Sequence, residues 1–445
     1  MLGPKKPAAS CLFLVVLAGL MLGGSRPAWG HSFDNYGFGS RAIAMGGAMV
    51  GFDDQYSAVY YNPAGMAFNK EKGINLGASF LYSMPSLEIK GAGPNPAASR
   101  SNMAFDEGIS VGFSSPLGSG TIGKAISAGV GVYLPFPFTF YILELKSFKP
   151  SVPYFIQYEN RNHFTMITAA VSYKPWRKLS FAVGMDILIG CDINANMALE
   201  GNKAKVGVDG PFPWDDTPTA GIQYRPTDWL SFGAAYHGKS QDKVKVTAHL
   251  DARPLLDEPI PVLLVWRDAY KPQQVEMGFG LKPLEKLTVA GAFTWVDFSD
   301  YIPPIVKISL DSTSHTTEAM QDVLNQYIKT YKYKFNDYWI PRLGAEYQVT
   351  EHLSARAGYF YRNSSVPAQT GETSFIDPPT HGIGAGIGIA FSDPLGLIAN
   401  SIHVDLSYQG QFLQEVKVNK ASVANQSYTA GGSNHVLSGT LMCTF

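Results

Sequence analysis

The sequence has little charge, few cysteines and, after residue 30, no long apolar run. Asp, Glu, Lys and Arg make up 16% of the 445 residues, against roughly 25% in ordinary soluble proteins. Three cysteines are too few for a disulfide framework, and we expect Cys191 and Cys443 to be free thiols. No apolar run reaches the roughly 18 residues that a membrane-spanning helix requires. The net charge of −1 gives no indication of nucleic-acid binding.

Some common metal-binding and redox motifs are also missing. The chain has no His-Glu-x-x-His zinc motif and no Cys-x-x-Cys pair, and its nine histidines lack metal-ligand spacing. We therefore expect no enzyme activity, no metal and no cofactor. The glycines between Gly382 and Gly388 resemble a phosphate loop, but they alternate with Ile and Ala, which fits one face of a β-strand better.

Residues 1–30 have the features of a secretory signal peptide. Lys5 and Lys6 precede an apolar core from Cys11 to Leu22, and Ala28-Trp29-Gly30 places small residues where a signal peptidase cleaves. The core is shorter than the roughly 20 residues of a membrane span. We expect the protein to be exported and its mature chain to begin near His31.

Beyond residue 70 the chain alternates apolar and polar residues with period two. For example, Leu179, Phe181 and Val183 would share one face of a strand, and Ser180 and Ala182 the other. The pattern predicts about fourteen strands, over 73–84, 106–117, 123–136, 160–176, 178–192, 215–226, 228–248, 265–282, 286–300, 336–349, 351–364, 380–392, 400–416 and 433–445. Without membrane helices, an exported chain can span a membrane only as a closed barrel, because lipid offers the backbone no hydrogen-bond partners.

The connections between the predicted strands alternate between short and long. Short turns near 174–178, 225–228 and 282–286 are followed by long connections near 193–214, 249–264 and 301–335. Bacterial outer-membrane barrels have short periplasmic turns and long external loops. The sequence therefore predicts an all-β fold, a transmembrane antiparallel β-barrel of about 14 strands.

Aromatic residues recur near the ends of the predicted strands. Interfacial belts of membrane barrels use such rings, which have an apolar body and a polar edge. The predicted belt residues are Tyr173, Trp176, Trp229, Trp295, Tyr338, Trp339, Tyr359 and Tyr408.

The segment from His31 to Phe68 is rich in glycine and ends in a distinctive motif. Residues 57–65 read Ser-Ala-Val-Tyr-Tyr-Asn-Pro-Ala-Gly, and Asp53-Asp54 lie just before them. The glycines and the Asn-Pro turn exclude a long regular helix or strand. This stretch resembles the N-terminal hatch of the FadL-type outer-membrane transporters, which take up long-chain fatty acids and aromatic hydrocarbons. Segments 226–237, 342–347 and 353–359 are similar to strands of the same family.

After the signal peptide over 1–30, the resemblance implies a hatch over 31–70 that plugs the lumen and a barrel over 71–445. The hatch residues expected to take part in gating are Arg41, Gly46, Gly47, Asp53, Asp54, Asn62 and Pro63. Their candidate partners on the barrel wall are Arg342, Glu346, Arg356 and Arg362. A purely structural role of the hatch hydrogen bonds is the alternative to gating.

Apolar residues are frequent in the predicted outer loops, and exposed apolar patches usually mark binding sites. The residues expected to capture a ligand are Phe136, Phe138, Phe140, Leu143, Phe155, Leu264 and Trp266. The alternative is that these side chains only pack the loops together. The spacing of apolar residues between Met320 and Tyr331 predicts a short amphipathic helix in another long connection.

The family resemblance also implies a kinked third strand that opens a lateral exit into the membrane. Pro135 and Pro137 end the third predicted strand, and each proline removes a backbone donor. Gly129 and Gly131 are the second candidates for the kink.

Together these features predict an integral outer-membrane channel of a Gram-negative bacterium. It would take up hydrophobic small molecules passively, through an apolar pocket beside the hatch, and release them by hatch movement or lateral exit. Its partners would be this ligand and outer-membrane lipid, without nucleic acid, and the chain would be a monomer. The alternatives are a polar-solute porin, a barrel enzyme, and a structural or adhesive barrel.

Overall fold

The structure is a computed structural model that describes residues 33–69, 73–91, 106–118, 125–135, 153–158, 165–189, 194–200, 203–209, 214–250, 260–303, 307–310, 334–392, 401–421 and 427–445. Its helices are α1 (Phe33–Tyr36), α2 (Ser40–Ala44), α3 (Ala58–Tyr61) and a 3-10 helix (Pro63–Phe68). In the described ranges, no helix is both long and apolar enough to cross a membrane.

The strands follow the helices along the chain. They are β1 (Asn75–Lys90), β2 (Asp106–Pro116), β3 (Ile126–Pro135), β4 (Tyr154–Phe155), β5 (Thr165–Trp176), β6 (Leu179–Ile189), β7 (Asn194–Glu200), β8 (Lys203–Asp209), β9 (Trp214–Tyr224), β10 (Leu230–His237), β11 (Ser240–Leu250), β12 (Ile260–Lys271), β13 (Gln273–Leu284), β14 (Leu287–Asp297), β15 (Lys307–Leu310), β16 (Tyr338–Gln348), β17 (Leu353–Arg362), β18 (Phe375–Ile376), β19 (Thr380–Ser392), β20 (Ser401–Val418) and β21 (Tyr428–Thr444).

Fourteen of these strands form a closed antiparallel barrel. Their order around the wall is β1-β2-β3-β5-β6-β9-β10-β13-β14-β16-β17-β19-β20-β21. β21 pairs with β1 from Asn75 opposite Thr444 to Lys90 opposite Thr429, and this pairing closes the cylinder. The predicted fold class and strand number are confirmed. We call the end with turns such as 177–178 the short-turn end, and the opposite end the long-loop end.

The period-two pattern places apolar side chains on the outside of the wall. In β6, Val183 is 71% exposed and Phe181 41%, whereas Ser180 and Asp186 are buried on the lumen side. An apolar outer face with a more polar inner face is the arrangement of a lipid-embedded barrel.

Two predicted strands were wrong, because each joins a barrel strand to a strand of a second sheet. The predicted strand 228–248 is β10 followed by β11, and 265–282 is the end of β12 followed by β13. β11 and β12 belong to a five-stranded sheet of order β15-β12-β11-β7-β8. The alternation continues across the break at 238–239, since strands of both sheets have the same period. The predicted long connections therefore contain strands.

Most of the predicted aromatic belt lies on the outer surface. Trp176, Trp229 and Trp339 are 63%, 52% and 45% exposed. Tyr338 is an exception, because it is 5% exposed and packs in a buried aromatic cluster. Its neighbour Trp339 takes the outward position in β16, as period two requires.

Candidate functional site

Residues 33–69, which we call the hatch, pack against the lumen face of the barrel. α2 contacts β17, β19, β20 and β21, while the 3-10 helix contacts β2, β3, β5, β6 and β9. Phe38, Met45 and Met66 of the hatch are fully buried in a cluster that includes Tyr133 and Met166 of the wall. The hatch thus touches strands on opposite sides of the bore.

Glycines in both the hatch and the wall allow their backbones to approach closely. Gly46 and Gly47 have positive φ angles of 64° and 77°, which side chains other than glycine rarely adopt. A Cβ on Gly358 of β17 would lie 2.2 Å from the amide nitrogen of Gly46. A Cβ on Gly384 of β19 would lie 2.6 Å from the carbonyl oxygen of Ile43. Gly384 of β19 therefore makes room for the hatch, as does Gly386, where a Cβ would lie 2.7 Å from Ala44 Cβ.

The Asn-Pro turn joins two parts of the hatch to the wall. Asn62 Oδ1 accepts a hydrogen bond from Ala64 N at 3.2 Å. Its Nδ2 donates to the carbonyl oxygens of Val50, at 2.9 Å, and of Ile222 on β9, at 3.0 Å. Pro63 begins the 3-10 helix, where its missing N–H leaves no hydrogen bond unmade. Asn62 is fully buried, so this one amide fixes the fold of the turn.

Arg41 of the hatch binds a carboxylate of the wall. Its Nε donates to Glu346 Oε2 at 2.9 Å and its Nη2 to Glu346 Oε1 at 2.8 Å. Arg356 donates from Nε to the same Oε2 at 2.6 Å and pairs with Asp405 at 2.5 Å. Asp53 Oδ1 lies 3.6 Å from Arg41 Nη1. Burial raises the pKa of the Asp53 carboxyl, and Arg41 opposes this only in part.

A second ionic contact holds the other side of the hatch. Arg225, directly after β9, donates from Nη1 to Asp54 Oδ2 at 3.2 Å and from Nη2 to the Phe52 carbonyl at 3.1 Å. Its guanidinium lies 4.4 Å from the centre of the Phe68 ring. The sequence singled out Asp54 but not Arg225, because an arginine before a proline reads as part of a short turn.

The other predicted wall arginines have separate partners. Arg342 donates from Nη1 to the Gly46 carbonyl at 3.0 Å. Arg362 binds Asp377, in a long connection, at 3.1 Å. Of the four predicted wall residues, Arg342 and Glu346 thus contact the hatch directly. Arg356 is linked to it only through Glu346, and Arg362 binds Asp377 instead.

Residues 153–158 and 374–377, which we call the lid, lie at the long-loop end. Their strands β4 and β18 pair in parallel. Ser365 donates to Asp377 Oδ2 from N, at 3.0 Å, and from Oγ, at 2.6 Å. Asn35 of the hatch donates to the Gln157 carbonyl at 2.8 Å, so the lid and the hatch are in contact. Phe155, a predicted capture residue, is fully buried in the lid.

The hatch separates two cavities. A cavity of about 50 Å³ lies on the long-loop side, where its lining includes Tyr61 of the hatch, Tyr158 of the lid and Glu276 of the wall. A cavity of about 960 Å³ lies at the short-turn end, where Arg41 and Arg225 line it. We expected an apolar pocket beside the hatch. The smaller cavity instead combines aromatic rings with charged groups.

The third strand keeps regular pairing at the glycines predicted to kink it. β3 pairs with β2 through Gly129 and Gly131 without a register shift, and in the part of the chain that the structure describes its pairing with β5 runs to Tyr133. A Cβ on Gly129 would lie 2.5 Å from Met66 Sδ of the hatch. In this conformation Gly129 makes room for a hatch side chain.

Several predictions concern residues outside the described ranges. These are the capture residues Phe136, Phe138, Phe140 and Leu143, the kink residue Pro137, the thiol of Cys191 and the helix between Met320 and Tyr331. Leu264 and Trp266 were expected in a loop or at a barrel-strand start, but they belong to β12 of the second sheet. Within the described ranges, no group of three or more His, Cys, Asp and Glu residues is arranged to hold a metal ion.

Comparison with known proteins decides the family. A family model described as "Outer membrane protein transport protein (OMPP1/FadL/TodX)" matches residues 20–445. The chain belongs to this family. The predicted resemblance is therefore confirmed, and it places the chain among outer-membrane transport proteins.

Relatives of the FadL/TodX family cover nearly the whole chain. Alkane uptake protein A of Marinobacter nauticus is 23% identical over 439 residues, which are 94% of this chain and 92% of that protein. A FadL homologue from Pseudomonas aeruginosa has a similar structure, with a TM-score of 0.60 and 17% identity over 94% of this chain and 99% of the other. The toluene transporter TodX of Pseudomonas putida gives a TM-score of 0.56 and 15% identity over 92% and 99%. At these identities the solved structures show a common fold.

Proposed function

We propose that this protein is an outer-membrane channel for the passive uptake of hydrophobic small molecules such as alkanes. Membership in a family of outer-membrane transport proteins supports the outer membrane as its location. The relative named for alkane uptake supports hydrocarbons as the class of ligand. On this proposal, residues 1–30 direct export and the chain acts as a monomer in a Gram-negative outer membrane. The long-loop end faces outward.

The observation that carries the proposal is the position of the hatch between two cavities. The hatch blocks the bore, yet polar side chains such as Arg41, Asp54 and Asn62 hold it to the wall. Such contacts can break and re-form without unfolding the barrel. A plug with breakable contacts suits a gated channel better than an open porin.

Capture would take place at the long-loop end, where two apolar clusters flank the lid. Tyr154 and Ile156 pack in one cluster, with Phe298 and Phe360, and Phe155 packs in the other. A hydrocarbon gains about 0.8 kcal/mol for each CH₂ that it removes from water. The two clusters offer such a ligand apolar surroundings before it reaches the bore.

Passage requires the small cavity to widen. Its volume is about 50 Å³, whereas small-molecule sites usually occupy at least roughly 300 Å³. We infer that the ligand displaces the lid, the hatch or both. Release would follow when the contacts of Asp53, Asp54 and Asn62 with their partners open toward the short-turn end.

Lateral release at β3 is the second route. Pro135 and Pro137 cannot donate to a neighbouring strand, and among the described residues the pairing of β3 with β5 runs only as far as Tyr133. A gap would therefore open at this end of β3 rather than at Gly129 or Gly131, where the pairing is continuous.

Uptake and pore assays test the proposal together. Cells without hydrocarbon channels of their own would express the protein and receive radiolabelled hexadecane, and liposomes with the purified protein would be tested for swelling in sucrose. We expect hexadecane uptake above the vector control and little swelling. Removal of residues 33–69 should abolish selectivity and leave an open pore that admits sucrose. Strong swelling by the intact protein without hexadecane uptake would identify a porin and overturn the proposal.

A further inference from the structure

The small cavity contains a carboxylate with an unused acceptor. Glu276 on β13 lines this cavity. Its Oε2 accepts a hydrogen bond from Thr294 Oγ1 at 3.1 Å, whereas Oε1 is buried and has no hydrogen-bond partner among the described residues. Buried acceptors are rarely left unsatisfied, because they have lost their hydrogen bonds to water. The carboxylate is therefore placed to accept a hydrogen bond from a molecule that enters the cavity.

Arg342, the arginine that interacts with Glu276, already has other partners. Arg342 lines the same cavity and interacts electrostatically with Glu276. Its Nη1 donates to the Gly46 carbonyl at 3.0 Å, and its guanidinium lies over the ring of Phe360. Arg342 therefore balances the charge of Glu276 while it holds the hatch.

The other charged groups around the cavity are also paired. Arg362 binds Asp377 at 3.1 Å. Asp186 Oδ2 lies 2.9 Å from His237 Nδ1 and 2.8 Å from Lys271 Nζ. An anion would thus find no free cation among the described residues, and a cation would meet Glu276 only beside Arg342, whose positive charge already offsets that of the carboxylate. Burial of an unpaired charge is strongly unfavourable, so this electrostatic arrangement favours a neutral ligand.

An apolar surface continues from the cavity toward the lid. Tyr338, Ile340 and Phe360 line the cavity and belong to one of the two apolar clusters beside the lid. A molecule whose polar end reached Glu276 would place its hydrocarbon tail among these side chains. The site therefore combines one polar contact with a path for an apolar chain.

We propose that the cavity binds the polar end of an uncharged amphiphile, a hydrocarbon chain whose hydroxyl group donates to Glu276 Oε1. This inference rests on the proposed function and narrows its ligand class. Long-chain alcohols would be preferred over the corresponding alkanes, since only the alcohol satisfies the buried carboxylate. Carboxylates and alkylammonium ions of the same length would be disfavoured.

The test uses one chain length with four polar ends: decane, 1-decanol, decanoate and decylamine. Equilibrium dialysis would measure their binding to the purified full-length protein in detergent near neutral pH. We expect 1-decanol to bind about tenfold more tightly than decane, and both ions to bind more weakly than 1-decanol. Glu276→Ala should remove the preference for 1-decanol and leave decane binding within about twofold. Glu276→Gln keeps an acceptor and removes the charge, so it should retain 1-decanol and gain decanoate binding.

Glu285→Gln, at the exposed turn after β13, is the matched control and should bind all four compounds as the wild type does. The melting temperature of each variant would confirm its fold. Tightest binding of decanoate or decylamine to the wild type would overturn the inference, as would an unchanged 1-decanol preference in Glu276→Ala. If hexadecane uptake persists in these cases, the proposed function survives. If the wild type neither binds the four compounds nor takes up hexadecane, the proposed function fails as well.

Discussion

Arg41 and Glu346 form a two-point ion pair across the boundary between the hatch and the barrel wall. The distances are 2.9 Å from Nε to Oε2 and 2.8 Å from Nη2 to Oε1, and the two side chains are only 14% and 16% exposed. A guanidinium donates two parallel hydrogen bonds to a carboxylate from two separate nitrogens, whereas an ammonium has only one nitrogen. This pair is therefore the strongest single contact that we identify between the two parts.

Replacement of Arg41 by lysine keeps the charge but removes the two-point geometry. We expect hatch docking to weaken by about 1–3 kcal/mol, and the open probability in planar bilayers to rise about tenfold. Glu415→Gln is the control, since Glu415 and its partner Lys90 are more than 60% exposed and such surface pairs contribute roughly 0–1 kcal/mol. Equal conductance of Arg41→Lys and the wild type would show that this pair does not hold the hatch.

Gly358→Ala should push the hatch away from the wall. The new Cβ would lie 2.2 Å from Gly46 N, a backbone atom that cannot move aside alone. We expect a loss of about 1–3 kcal/mol in stability and a leaky pore. Gly439→Ala serves as the control, because a Cβ there has no neighbour nearer than 3.4 Å, at Leu406. Melting temperature and conductance would be measured on both variants, and identical results for the two would contradict close packing at Gly358.

The barrel could be predicted from the sequence because lipid imposes a simple pattern on each strand. Val183 and Phe181 face outward and Ser180 inward, as alternation required. The same pattern failed at residues 228–248, where β10 leaves the barrel wall and β11 enters the second sheet. Alternation reports which faces are buried but not which sheet a strand joins. The short break at 238–239 carried no turn signal strong enough to divide the segment.

The polar residues of the hatch could be predicted better than their partners. Arg41 and Asp54 are charged groups in a small-residue segment, and this contrast marked them. Their partners depend on the register of strands that lie 305 and 171 residues away along the chain. Glu346 was among the candidates, whereas Arg225 was not. Which wall residues face the hatch depends on the pairing register of the strands, and that register is set only when the barrel closes.

Asp377 should control the lid. It accepts two hydrogen bonds from Ser365 and pairs with Arg362, and it is 3% exposed. Asp377→Ala would leave Arg362 without this partner, a loss of about 3–5 kcal/mol for a buried pair. We expect faster cleavage of the lid by an added protease and weaker ligand binding, with Asp377→Asn intermediate. The exposed Glu351→Gln variant should behave as the wild type, and unaltered cleavage of Asp377→Ala would exclude this role.

A disulfide between the hatch and the wall tests whether the hatch must move. Ser40 Oγ of α2 lies 2.9 Å from Ser438 Oγ of β21, so a double cysteine variant, Ser40→Cys with Ser438→Cys, places two thiols within bonding reach. When oxidised, the bond should fix α2 to the wall, because rearrangement of the gate then requires the bond to break. We expect hexadecane uptake to fall about tenfold or more and to recover with a reductant.

The single variants Ser40→Cys and Ser438→Cys are the controls for this disulfide, since each loses one of the two hydroxyl groups but cannot form the bond. Both should transport as the wild type does, with or without oxidant. Full uptake through the oxidised double variant, with the disulfide confirmed by mass spectrometry, would mean that the ligand passes while α2 stays in place. Lateral release at the long-loop end of β3 would then be the favoured route, since Pro135 donates no backbone hydrogen bond to a neighbouring strand there.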